Sequence, residues 1–278
     1  MNLPAATALF ILLAAAPSAH AIDIPFRWTP GQIEVQVSVN GRAPIWFIVD
    51  TGAEYSILDT EVAKSYGLSG GRFVDGVMLT IGPVTLRDQR VMLIQLDNFR
   101  RQKRAIRGLV GYDFFARYVV TFDFEQHLLH LTEPKAFKPP RDATRLRLQF
   151  AGRLSVIDTV LTIANRRIPA KLEIDTGASQ AVILRHPFVE SHGLVDVAAS
   201  TSTADSVASG PLAFVKLPTQ QIEVAQWKFE NPNVSFYGVA RGAGGSTDTD
   251  GLIGNDILRH FRVTVDYSRR EMWLTRMP

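Results

Sequence analysis

The chain of 278 residues contains no cysteine. That excludes disulfides, thiolate metal sites and lipid attachment through an N-terminal cysteine. It also lacks any apolar run of membrane-spanning length: the one continuous stretch, Ala8 to Ala16, falls well short of the roughly 20 residues a bilayer requires. There is no His-x-x-x-His pair, no carboxylate cluster at metal-ligand spacing, no Gly-x-Ser-x-Gly and no phosphate loop, so neither a metal nor a cofactor is expected. Charge is nearly balanced, with 30 Lys and Arg against 27 Asp and Glu and a net charge of +3, too small an excess to point to nucleic acid as a partner. What is present is an ordinary globular composition, 46% apolar and 21% charged, on a chain long enough to bury a substantial core.

The N-terminus reads as an export signal over residues 1–21. Its apolar run ends at Pro17-Ser18 and is followed by Ala19-His20-Ala21, a small-x-small pattern suited to cleavage after Ala21. Met1 to Pro4 carry no Lys or Arg, so an uncleaved anchor or a buried N-terminal helix is the other reading. Export predicts a periplasmic or extracellular protein with no stable membrane insertion after cleavage.

Two copies of one phrase organise the rest: Asp50-Thr51-Gly52-Ala53 and Asp175-Thr176-Gly177-Ala178. Each lies between apolar runs, which predicts a strand, a tight turn and a new strand with a carboxylate at the bend. The frame around them also recurs. A shift of 125 carries Asn40, Arg42 and Pro44 onto Asn165, Arg167 and Pro169, and a shift of 143 carries Gly108-Leu109 and Gly111 onto Gly251-Leu252 and Gly254. The latter shift also matches Asp113, Thr121 and Asp123 to Asp256, Thr264 and Asp266. The chain therefore reads as two homologous β-rich halves, 22–136 and 137–278, joined by the proline-bearing stretch Thr132 to Arg145. Their middles are unequal: Asp50 to Gly108 is 58 positions, and Asp175 to Gly251 is 76.

These motifs resemble those of the aspartic peptidases. The Ala after Asp-Thr-Gly, with Gly-Leu-Val-Gly-Tyr-Asp-Phe-Phe and Gly-Leu-Ile-Gly-Asn-Asp-Ile-Leu, looks most like the retropepsin-like branch, and the duplication within one chain looks like the bilobal arrangement of pepsin. The resemblance covers nearly all of the chain after residue 21. It implies an all-β fold of two β-barrel lobes related by pseudo-twofold symmetry, with short helices after the Gly-Leu-x-Gly segments. Asp50 and Asp175 would meet between the lobes as catalytic carboxylates sharing one proton. Thr51 and Thr176 would lock the two turns through buried hydroxyl hydrogen bonds. Gly52, Ala53, Gly177 and Ala178 would complete the active-site loops. The implied activity is endopeptidase cleavage of peptide or protein substrates by a monomer; a catalytically weak peptide-binding protein on the same fold is the alternative. Ala53 and Ala178 stand where pepsin-like enzymes carry a hydrogen-bonding Ser, which predicts a less acidic pair and an optimum nearer mildly acidic or neutral pH.

Other residues carry weaker expectations. Thr201 to Phe214 suits a mobile hairpin closing over substrate, with Ser69 to Gly76 a stunted counterpart. Asn98 to Arg107 reads as a solvated basic loop. Asp113 and Asp256 suit helix N-caps. Glu173, two residues before Asp175 where the first half has Ile48, is expected to face solvent or a partner.

Overall fold

The computed structural model describes residues 22–29, 31–197, 202–207, 210–240 and 242–277; the export signal lies outside them. The fold is mostly β, with short helices. Its strands form three sheets. A seven-stranded sheet is built from strands between Arg27 and Val110, a ten-stranded sheet from strands between Gln149 and Ile253, and a six-stranded sheet from both ends and the middle of the chain.

The strand Gln32–Val39 illustrates the logic. Ile33, Val35, Val37 and Val39 alternate along it and all are fully buried, the period-two signature of a strand with one face in the core. Its turn is Asn40-Gly41, with φ of 49° and 73°, the left-handed pair that a two-residue hairpin requires. The equivalent turn in the second series falls at Ala164-Asn165, with φ of 49° and 60°, between the paired residues Ile163 and Arg166. The turns are thus offset by 124, whereas the aspartates are offset by 125. Residues 42–44 lie outside any strand and absorb the difference.

Each Asp-Thr-Gly turn is framed in the same way. The strand Ile45–Val49 runs parallel to Ile106–Val110, with Ile48 beside Leu109 and Val49 beside Val110. The strand Arg166–Ile174 runs parallel to Gly251–Ile253, with Glu173 beside Leu252 and Ile174 beside Ile253. After each turn the chain returns on the other side of the same glycine-bearing strand, antiparallel to it, as Ile57–Asp59 and Val182–Leu184. Each aspartate therefore leaves its strand level with the end of a Gly-Leu-x-Gly segment.

In the six-stranded sheet, Val119–Asp123 pairs with Phe261–Asp266, and Thr121 faces Thr264 with their hydroxyls 2.8 Å apart. The stretch between Thr132 and Thr144 is strapped onto this sheet, where Phe137 packs on Trp273 with ring centroids 5.1 Å apart and Arg269 Nη2 donates to the Pro134 carbonyl at 2.8 Å. One large apolar cluster containing Phe47, Phe122, Ile174, Phe261 and Met272 runs through all three sheets.

Several expectations are corrected. The basic loop contains a short helix, Asp97–Arg101, and joins the strand Ile106–Val110. Two of its arginines are structural: Arg104 pairs with the fully buried Glu34, and Arg100 pairs with Glu61 and Asp97. Asp113 and Asp256 are not N-caps. Those positions belong to Gly111 and Gly254, and the two carboxylates instead accept from the Ser56 amide at 3.0 Å and pair with Arg259 at 3.1 Å. Residues 73–76 begin the long strand Phe73–Ile81 rather than forming a hairpin tip.

Candidate active site

Asp50 and Asp175 are held by their backbones before their side chains do anything. The Asp50 amide donates to the Val110 carbonyl at 2.9 Å, and the Asp175 amide to the Ile253 carbonyl at 3.0 Å. A tight turn follows each, with the Ala53 and Ala178 amides 3.3 Å from the Asp50 and Asp175 carbonyls. Within each turn the glycine amide reaches back to its own aspartate: Gly52 to Asp50 Oδ1 and Gly177 to Asp175 Oδ1, both at 2.8 Å.

The two turns then grip each other. The Thr51 hydroxyl donates to the Ile174 carbonyl at 2.7 Å and accepts from the Thr176 amide at 3.0 Å. The Thr176 hydroxyl donates to the Val49 carbonyl at 2.8 Å and accepts from the Thr51 amide at 3.1 Å. Both threonines are buried, so four backbone groups that would otherwise be orphaned are satisfied across the junction. Three further bonds tie the same place: Asn255 Nδ2 donates to the Gly31 and Thr176 carbonyls at 2.8 and 2.7 Å, and Gln32 donates to the Gly177 carbonyl.

This grip sets the carboxyl group of each aspartate against the glycine of the other turn, so that the two buried carboxyls act on each other. The glycines are what allow it. A Cβ on Gly52 would lie 2.8 Å from Asp175 Cγ, and one on Gly177 would lie 2.6 Å from Asp50 Cγ, closer than any side chain tolerates. Burial and the facing Asp175 hold the Asp50 carboxyl well above the usual carboxylate range. Burial also raises Asp175, but less, because the hydrogen bond from Asp50, the Gly177 and Ala178 amides and the Arg185 cation all favour its ionised form. The pair can therefore hold one proton between them and titrate as a unit.

Glu173, expected to face solvent or a partner, lies inside and meets a partner in Arg185. It is 5% exposed, and its Oε1 accepts from Arg185 Nη2 at 2.9 Å. Burial pushes its carboxyl up to about 7, even though Arg185 pulls the other way. Arg185 also carried no signal in the sequence. It stands where the first half has Asp59, just beyond the strand after the turn, and its partner is 12 positions upstream. Arg153 was missed too: it donates to the Glu54 carbonyl at 3.2 Å and lies over the Tyr55 and Tyr112 rings, bracing the first turn.

Beside the site stands a hairpin of the strands Ser202–Val207 and Gly210–Lys216, the second of which lies against the helix Asp97–Arg101. Gly210–Lys216 pairs with Val234–Tyr237 as Phe73–Ile81 pairs with Val84–Ile94. The residues before Phe73 form a bend rather than a hairpin.

Residues 35–76 match the family model described as aspartyl protease. The match spans the first Asp-Thr-Gly-Ala with both flanking strands. It supports an aspartyl protease family and a protease-type function in general. No curated protein matches the chain.

Proposed function

We propose that the protein is an exported aspartic endopeptidase, monomeric and two-lobed, with Asp50 and Asp175 as its catalytic carboxylates. The observation that carries this reading is the crossing of two equivalent turns, locked by Thr51 and Thr176, which sets each aspartate carboxyl against the glycine of the other turn. In the free enzyme Asp50 is protonated and Asp175 is ionised. Asp175 takes a proton from a water lying between them as that water attacks the scissile carbonyl, and Asp50 donates its proton to the carbonyl oxygen. The product is a neutral gem-diol, which collapses as a proton passes to the leaving nitrogen, so no acyl-enzyme forms. Gly52 and Gly177 leave room for the facing carboxyls to approach each other. The paired strands Ser202–Val207 and Gly210–Lys216 close over the bound peptide and exclude water. Two carboxyls raised by burial favour an optimum in mildly acidic to neutral solution.

The test is peptide hydrolysis by Asp50→Asn and Asp175→Asn. Each substitution keeps the shape of the turn and removes the shared proton, so each is expected to lower kcat/KM by at least about 10³-fold with the unfolding transition retained. A peptide mimic bearing a hydroxyl at the scissile position is expected to inhibit the wild type. Peptide binding without cleavage, indifferent to either substitution, would identify a binding protein on this fold instead.

A further inference from the structure

Glu173 is a buried acid that the proposed chemistry does not use. It lies on the strand Arg166–Ile174, two residues upstream of Asp175, which is the first residue beyond that strand. One of its oxygens is held by Arg185; the other, Oε2, is buried without a hydrogen-bond partner. An unsatisfied buried carboxylate oxygen is costly, and the matching position in the first half, Ile48, does without one. The flanking strands add nothing polar at its level: its lateral neighbours are Val156 and Leu252. The ionisable groups acting on it are Arg185, Asp175 and Glu54, and it acts in turn on Asp50 and Tyr237. Of the three buried acids, Glu173 pairs with the buried Arg185, whose charge also acts on Asp175.

We propose that Glu173, oriented by Arg185, is a positioning residue for the dyad: its negative charge keeps the shared proton on Asp50 as the solution becomes less acidic. Once Glu173 ionises near neutrality, its charge opposes a further negative charge on the dyad, so the dyad holds its proton to higher pH. Arg185 stands on the Asp175 side and favours the charge there. The pair thereby breaks the symmetry of the two turns and widens the pH range over which one carboxyl is acid and the other base. The inference rests on the peptidase reading for its consequence, but its test does not require turnover.

The experiment is a pH titration of protein labelled with ¹³C in the aspartate carboxyls, wild type and Glu173→Gln, with dyad signals assigned from the Asp50→Asn and Asp175→Asn spectra. Glutamine keeps the size and the bond to Arg185 while removing the charge. The upper titration step of the dyad is expected to fall by about one pH unit, and the basic limb of the kcat/KM profile to fall with it. A merely structural pair would lower stability and leave that step in place; a folded Glu173→Gln whose step does not move overturns the inference. Should that variant not fold, the wild type labelled in its glutamates decides. One glutamate carboxyl must then titrate near neutrality with a dyad aspartate responding over the same interval, and its absence overturns the inference as well. A moved step in a chain that cleaves no peptide removes the peptidase reading alone, and cleavage with an unmoved step removes the present inference alone.

Discussion

Ile48 and Glu173 hold the same place in their strands: each stands two residues before an Asp-Thr-Gly turn and beside the leucine of a Gly-Leu-x-Gly segment. Around Ile48 the packing is wholly apolar, with Ile57, Leu96, Phe99, Ile106 and Leu109. Around Glu173 the neighbouring apolar cluster of Ile183, Phe214, Tyr237 and Leu252 is joined by Arg185. The next polar position differs in the same sense. Asp59 caps the helix Thr60–Ser65 through the Glu61 and Val62 amides, whereas Arg185 precedes the helix His186–Ser191 without capping it and turns to Glu173. One backbone frame has thus been built twice and filled with opposite chemistry. The frame positions the carboxyls, and the filling makes them unequal.

The hardest blow to that comparison comes from the aspartates. Asp50→Asn and Asp175→Asn are expected to lose activity about equally, at least about 10³-fold each, because a shared proton cannot be divided; hydrolysis rates showing one of them dispensable would undo the symmetry of the frame. Next in size is the filling. Glu173→Ile, which copies the first half, removes the carboxylate that pairs with the buried Arg185 and is expected to cost about 3–5 kcal/mol in urea unfolding. The matched change Ile48→Val should cost only about 0.5–1.5 kcal/mol. Equal costs would mean that the ion pair contributes nothing at its site.

The crossed threonines sharpen the frame itself. Thr51→Val and Thr176→Val each leave a buried carbonyl and amide without partners, a loss of about 1–3 kcal/mol. The two losses should match within error, and the double variant should lose less than their sum because the bonds form one network. A drift with pH tests the filling in a different way. The Glu173 carboxyl, ordinarily near 4.5, rises to about 7 in the fold, so folding binds its proton. Its contribution is fully present below about pH 4.5 and fades as pH rises toward 7. The stability of the wild type relative to Glu173→Gln is therefore expected to decline across that interval. A flat difference in unfolding free energy between the two pH values would show that the carboxyl is not desolvated.

Duplication made the frame legible. A lone Asp-Thr-Gly is a turn, but two of them, each with an apolar run before it and a Gly-Leu-x-Gly after it, define which strands must lie beside each other. The strand character of Gln32–Val39 and the hairpin at Asn40-Gly41 followed from local rules of alternation and turn geometry. Glu173 did not, because a single charge in an apolar strand suggests exposure unless a partner is visible, and Arg185 is brought to it only by the chain's return along Val182–Leu184. Arg100 and Arg104 were hidden for the same reason. A run of cations looks solvated until the fold delivers Glu61 and Glu34 from other elements. Asp113 and Asp256 misled because helices of four residues start at the preceding glycine, and the carboxylate one position inside finds partners beyond the helix.

The mutual grip of Thr51 and Thr176 has a consequence for the order of events during folding. Neither turn can satisfy its backbone without a hydroxyl from a residue 125 positions away, so the carboxyls cannot be aligned until that long loop has closed, and loops of this length close late. A nascent chain emerging in order exposes Asp50 long before Asp175 exists to meet it. Cleaving power, on the reading above, arrives as a switch thrown at the final assembly step, when no unfolded stretch of the same molecule remains to be cut.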